Sequence, residues 1–406
     1  VRNVWVPAAL LLMVAGWGAN QFSPLLGAYR GELGLSPSAA TGLLALYVVG
    51  LVPGLLFGGP LADRRGRKPV VIWAIVLSAL ATVALMLGAH VVPWLVVGRL
   101  IVGVSTGAVL AAGSAWVRDL SHPPFGTATE DGAGARRAGV LLAAGFSVSG
   151  LVSALVATWV PFPLVSAYVP HLVLCAVTLP LALRCPETRV EPAAGAPRGR
   201  GARDPRFLRR VAPVAPWIFL CPTVGFAVLP AQVTVHAPGY EVLYAGVSTL
   251  CAPGFGAVVQ PWARRIARRG VRATAVFGLV AIAAGLVLAA VAAWQAQPWL
   301  GLLAALTLGT GYGFVSTYCL TMVGRIAGPS ELAGLTAIMW VLAYLGFCTP
   351  FVISLLSGVV AVPVVLLVLA GLALLTLLSA RDETDRDGHE SRRAQRVQRL
   401  RDSGVL

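Results

Sequence analysis

The stretch GGPLADRRGRKP, residues 58–69, sets one acid, Asp63, among Arg64, Arg65, Arg67 and Lys68 at the end of a long apolar run. Clustered cations there hold a segment against anionic lipid headgroups, at about 1 kcal/mol per charge. Asp63 needs another reason, because acids contribute little to membrane topology. A carboxylate beside a helix N-terminus gains about 0.3–1 kcal/mol, and up to about 2 when partly buried. The stretch GPSELAG offers such a terminus on the same side, with Ser330 as its N-cap. Gly58 and Gly59 permit close backbone approach, and Gly66 permits a turn that most side chains would strain.

Arg99 stands seven residues into an apolar run that begins near residue 92, hence about 10 Å deep at about 1.5 Å per residue. A cation there costs about 2.5–3.5 kcal/mol, which makes a functional role the first expectation. The alternative is snorkelling to the headgroups. Arg99 and Asp63 lie near opposite membrane faces, so no direct ion pair between them is expected. Apart from Arg99, the centres of the apolar runs hold no Asp, Glu, Lys or Arg. Asn20 and Gln21, an amide pair in the first run, cannot exchange a proton and are costly unless they face a cavity or another helix. The proton carriers singled out here are peripheral: Glu32, Glu241 and His236.

A small-molecule site in such a chain is mostly apolar with a few polar anchors. Candidates are Asn20, Gln21, Tyr47 and Trp116 in the first half, and Gln232, Tyr318, Trp340 and Tyr344 in the second. Each also reads as an interfacial aromatic or as helix packing. GTGYG at 309–313 lies inside a full-length apolar run, which suits close helix packing rather than an ion filter. No phosphate loop, zinc motif or nucleophile elbow is present, so neither an enzyme nor a cofactor or metal site is expected. The six cysteines are scattered singly and read as small apolar residues.

The elements that position these residues follow from composition. The chain is 57% hydrophobic and 12% charged, with mean hydropathy +0.81, against about 25% charged residues in soluble domains. Apolar runs fall near 4–28, 39–61, 69–90, 92–116, 137–160 and 162–183, then 211–232, 241–262, 273–294, 297–322, 331–356 and 358–379. They do not alternate as barrel strands do, so the fold class is an all-α polytopic membrane protein of twelve spans. The first run is too long for a signal-peptide core and reads as a retained helix. Residues 187–210, rich in Pro, Gly, Ala and Arg, read as a solvated linker, and 381–406 as a mixed-charge tail. The +15 formal charge sits in short loops on one side, as the positive-inside rule expects. That places both termini and the linker in the cytoplasm and disfavours nucleic-acid binding. A weak repeat supports two halves: GGPLADRR recurs as VVQPWARR about 200 residues later, with Asp63 replaced by Arg264.

GGPLADRRGRKPVV resembles the signature loop of the major facilitator superfamily, through Gly59, Leu61, Ala62, Asp63, Arg64, Gly66, Arg67 and Lys68. GRLIVGVSTGA resembles the family's second motif, with Arg99, Gly103 and Gly107 in place, and RCPET resembles its turn after helix six. The resemblance implies two six-helix bundles, 1–186 and 211–380, rocking about a central site. It implies that Asp63 braces the halves and that Arg99 acts in coupling or gating. The family's antiporter motif in helix five is degraded, since AAGFSVSGLVSALV has no proline. The general organisation is similar to the drug- or sugar-efflux branch. The expected function is export of a small organic molecule coupled to protons, by a monomer surrounded by lipid. The alternatives are an uncoupled facilitator or importer of a sugar or metabolite, and a transporter-like sensor or assembly factor.

Overall fold

The computed structural model describes residues 3–129, 132–188, 203–235, 239–328 and 331–379. Apolar composition turns these residues into helices that bury one another and face lipid. They are α1 (Trp5–Leu33), α2 (Pro37–Arg65), α3 (Arg67–Leu87), α4 (Pro93–Ser121), α5 (Ala133–Trp159) and α6 (Pro163–Leu183). A short helix, Pro205–Arg210, precedes the second set. That set is α7 (Trp217–Val233), α8 (Glu241–Arg269), α9 (Val271–Gln295), α10 (Pro298–Ile326), α11 (Gly334–Leu356) and α12 (Val362–Leu378). Ten of the twelve are long and apolar enough to cross a membrane; α7 and α12 are shorter.

Starts are set where sequence chemistry allows. Pro37, Pro93 and Pro298 occupy first helical positions, where the missing N–H costs nothing. Ser36 Oγ also accepts from Ala39 N at 3.1 Å. Large rings are exposed where α5 ends and where α9 meets α10: Trp159 is 67% exposed, and Trp294 and Trp299 are each 80% exposed. These are positions of an interfacial aromatic belt.

The charged cluster at 58–69 is not a loop. α2 runs through Pro60 and Asp63 to Arg65, one residue (Gly66, φ 100°) turns the chain, and α3 starts at Arg67. The repeat behaves alike: α8 runs through Arg264 to Arg269, and Gly270 alone separates it from α9. A twenty-residue apolar window registers only the hydrocarbon crossing, whereas the helix continues into the headgroup zone. There Arg64 and Arg65 in the last turn complement the C-terminal dipole.

Four of the described helices are interrupted, α6 by a turn at Ala167 and Tyr168. α1 narrows to a 3₁₀ turn at Ser23–Leu25, α7 widens to a π segment at Val224–Val228, and α11 narrows at Gly346–Cys348. Such irregular backbone at membrane depth survives only inside protein or beside a cavity. One apolar core runs through both halves and includes Phe22, Phe226 and Phe347 at these breaks.

Candidate functional site

Rings from both halves converge at the interrupted helices. Phe219 (α7) stacks on Tyr344 (α11) with centroids 4.1 Å apart. Phe219 also meets Phe146 (α5) at 6.3 Å, Tyr312 (α10) at 6.2 Å and Trp340 (α11) at 6.0 Å. Tyr47 (α2) lies 6.0 Å from Tyr344 and 5.6 Å from Phe347. The Tyr47 hydroxyl faces those of Tyr344 and Thr106 (α4). Aromatic pairs are worth about 0.5–1.5 kcal/mol beyond their buried area, so this cluster suits a flat apolar guest with one polar group.

Behind Tyr47 lies Arg99, fully buried. Its position follows from spacing: Arg99, Gly103 and Gly107 stand at i, i+4 and i+8 on one face of α4. That face meets α2, where a Cβ at Gly103 would stand 2.7 Å from Leu51 N, and one at Gly107 2.6 Å from Leu55 N. The close crossing lets Arg99 donate from Nε to Leu43 O and from Nη2 to Leu44 O, both at 3.0 Å, and from Nη1 to Ala19 O at 3.5 Å. The guanidinium carbon sits 4.5 Å from the Phe22 ring centroid and 5.0 Å from that of Tyr47. Carbonyls and ring faces thus replace a counter-ion.

The amide pair is turned towards neighbouring helices. Asn20 donates from Nδ2 to the Phe146 carbonyl at 2.8 Å and accepts from Ser23 Oγ at 2.6 Å. Gln21 donates from Nε2 to Thr82 Oγ1 (α3) at 3.2 Å. Thr82 Oγ1 is also 2.8 Å from Nδ1 of His171 (α6), which is fully buried.

The face at which α2, α4 and α6 end, here termed the linker face, is held by ions. Arg67 pairs with Asp119 at the end of α4 and donates to the Ala115 carbonyl at 3.1 Å. Lys68 Nζ donates to the Leu183 carbonyl at 2.7 Å. Glu187, from RCPET, accepts from the backbone N–H of Arg67 at 2.8 Å and of Lys68 at 3.0 Å. It therefore caps the N-terminus of α3. Gly66 is required here: its φ is positive, and a Cβ would stand 2.6 Å from Glu187 Oε2. E187A is expected to lower the melting temperature of the purified protein, since such a cap is worth about 0.5–2 kcal/mol. E187Q should fall between E187A and wild type, keeping an acceptor but losing the charge. Equal melting of all three would refute this reading.

On the opposite face the halves touch. Arg30 Nη1 (α1) meets Glu241 Oε1 (α8) at 3.2 Å, and Thr41 Oγ1 (α2) meets Ser354 Oγ (α11) at 2.7 Å. The ion pair is 35% and 30% exposed and so contributes about 0–1 kcal/mol. At the linker face, Arg264 lies in the field of Arg136 (α5), a like charge from the other half.

A family model described as Major Facilitator Superfamily matches residues 8–349. The chain belongs to the Major Facilitator Superfamily. It is 27% identical over 373 residues to a chloramphenicol resistance protein of Pseudomonas aeruginosa, covering 87% of this chain and 84% of that one. It is 34% identical over 104 residues to the inner membrane transport protein YnfM of Escherichia coli, covering 25% of this chain and 24% of that one. A D-xylose–proton symporter structure shares the fold at TM-score 0.70 and 16% identity, covering 94% of this chain and 97% of that one. The chain is a multi-pass membrane transporter, not an enzyme.

Of the residues singled out by sequence, Tyr47, Trp340 and Tyr344 join the ring cluster, and Arg99 backs it. Trp116 does not: its Nε1 donates to the Pro186 carbonyl at 3.0 Å near the linker face, because the segment after α6 runs along the last turns of α4, where Thr188 Oγ1 also donates to Asp119 Oδ2 at 3.1 Å. Tyr318 is buried towards the linker face within the field of Arg210, and Gln232 is half-buried one residue from the end of α7. Neither has a ring contact or hydrogen bond into the cluster among the described residues. Asn20 and Gln21 brace helices beside it rather than line it. Gly59 stands free of neighbours, its nearest being Ala111 Cβ at 4.0 Å from an added Cβ, while Arg64 is exposed. Asp63 is half-buried in the field of Arg67. Ser330 and His236, and most of the linker and the tail, lie outside the described residues. Glu241 is engaged by Arg30. Sequence reasoning missed Phe219, Phe146, Phe347, Tyr312, Glu187 and His171. Only Glu187 had a local signal, the short RCPET turn.

Proposed function

We propose that this transporter exports a small, uncharged aromatic molecule from the cytoplasm by alternating access, in exchange for protons. The observation that carries this reading is the ring cluster built from α2, α5, α7, α10 and α11. A guest between those rings touches both halves at once, as a rocking mechanism requires. Arg99 directly behind Tyr47 disfavours a cationic guest, because like charges repel strongly in a low-dielectric interior. The relative named for chloramphenicol resistance fits a guest of this kind. The basic linker face is read as cytoplasmic. With the halves joined on the opposite face, this arrangement loads from the cytoplasm. Asp63 is assigned to bracing the halves when the linker face closes, and Arg99 to holding α1, α2 and α4 together as they move. Each chain carries a whole cluster, so a monomer suffices.

The test is uptake of chloramphenicol into inverted proteoliposomes with and without a pH gradient. The gradient should drive accumulation, and F219A should reduce transport at least tenfold by removing the central ring of the stack. Transport of equal rate and extent with and without the gradient would support an uncoupled facilitator instead, the reading favoured by the absence of acids from the span centres. Wild-type behaviour of F219A would remove the cluster as the site.

A further inference from the structure

One buried titratable side chain has no part in the site described above. His171 is the ninth of the 21 residues of α6. Its Nδ1 lies 2.8 Å from Thr82 Oγ1, and its Nε2 lies 3.6 Å from Cys175 Sγ, one turn further on. Counting hydrogens assigns the tautomer. Thr82 has one hydroxyl hydrogen, which it gives to the Ser78 carbonyl at 3.0 Å. Its oxygen then accepts from Gln21 Nε2 and from His171 Nδ1. So Nδ1 carries the proton, and Nε2 keeps its lone pair.

That lone pair faces a niche left by Gly18 of α1. An added Cβ at Gly18 would stand 2.9 Å from His171 Nε2 and 2.9 Å from Ser78 Oγ. Ser78 Oγ and Gln21 Oε1 are both buried without hydrogen-bond partners, and the Val14 carbonyl acts on the ring. The niche therefore holds an open acceptor, a hydroxyl free to turn, and carbonyl oxygens able to take a new N–H.

We infer that His171 is a proton-binding site of the transport cycle, linked through Thr82 and Gln21 to the break in α1. The inference rests on the proton-exchange reading and supplies the group it lacks. One proton from water binds the Nε2 lone pair, imidazole becomes imidazolium, and the same proton later leaves Nε2 to water on the other face. The surroundings decide what protonation does. α1 carries no charged residue from Trp5 to Asn20, α3 carries only Arg67 and Lys68 at its start, and α6 adds the thiol of Cys175 and the Tyr168 hydroxyl, which is engaged by Tyr29. No carboxylate on these helices meets an imidazolium, so the arrangement described here suits the neutral ring. An unpaired cation at this depth shifts a two-state equilibrium by roughly a hundredfold. Protonation therefore expels the molecule from this arrangement and loosens the α1 break, where Gln21 neighbours Asn20 and its hold on the Phe146 carbonyl.

Ring-nitrogen NMR of ¹⁵N-histidine protein in bilayers tests the site without any substrate, with the His171 signals assigned by their loss in H171Q. The expected result is an Nδ1–H neutral ring at high pH that becomes imidazolium on acidification. An Nε2–H tautomer, or a ring that stays neutral throughout, would overturn the inference. The coupling role is tested with H171Q in the chloramphenicol assay. Accumulation driven by the pH gradient should fall at least tenfold, while gradient-free exchange of labelled chloramphenicol falls less than twofold. Wild-type accumulation by H171Q overturns His171 alone. A wild-type protein indifferent to the gradient overturns proton exchange itself, and with it this role. Should H171Q not fold, T82V removes the acceptor of Nδ1–H and should change the tautomer balance; an unchanged spectrum counts against the inference.

Discussion

R99K is expected to abolish transport even though it keeps the charge. Arg99 reaches the carbonyls of Leu43, Leu44 and Ala19 with three different nitrogens, across two helices. A lysine ammonium is a compact point charge that cannot span those carbonyls or lie flat between Phe22 and Tyr47. Hydrogen bonds to charged groups are worth about 1.5–3 kcal/mol each, so losing two costs about 3 kcal/mol or more. The cost falls where α1, α2 and α4 meet behind the ring cluster. The expected outcome is at least a tenfold slower rate in proteoliposomes, with a lower melting temperature. An R99K protein with more than half the wild-type rate would show that charge alone suffices and that the fork of donors is incidental.

The second large effect is expected from one methyl group. G103A places a Cβ 2.7 Å from Leu51 N and 2.9 Å from the Gly50 carbonyl carbon, atoms that cannot turn aside. The α2–α4 crossing must widen, which costs about 1–3 kcal/mol or more by overpacking and draws Arg99 off its carbonyls. G59A is the matched control, because its new methyl would find only Ala111 Cβ at 4.0 Å. Both glycines stand in family motifs, so conformity to a motif predicts equal damage, whereas the packing predicts unequal damage. The yield of monodisperse protein and its melting temperature should collapse for G103A and stay near wild type for G59A. Equal behaviour of the two would refute the packing argument.

These cases show why the candidate site was only partly legible in the sequence. Arg99 was identifiable because a lone cation in an apolar run is costly whatever surrounds it. Tyr47, Trp340 and Tyr344 were noticed as polar-tipped rings, but Trp116 looked the same and belongs elsewhere. A helix that is apolar all round gives no sign of which face meets a neighbour. Phe219 carried no signal at all, since a phenylalanine in a span is ordinary until five other rings surround it. His171 passed unnoticed because its partner Thr82 lies 89 residues away, and Gln21, which donates to the same hydroxyl, is 61 residues from Thr82. Asp63 drew notice as the lone acid beside a helix terminus, yet it is Glu187 that caps α3, 120 residues from Arg67.

The sequence by itself determined what is local and additive. Run length and hydropathy required twelve apolar helices, the bias of Arg and Lys implied an orientation, and the motifs near Asp63 and Arg99 indicated the family. Each of those is a sum over neighbouring residues. Tertiary structure alone decided which rings meet, which carbonyls hold Arg99, and where the helices break. Those outcomes depend on how each helix is rotated about its own axis, and that angle is set by packing against partners distant in the chain.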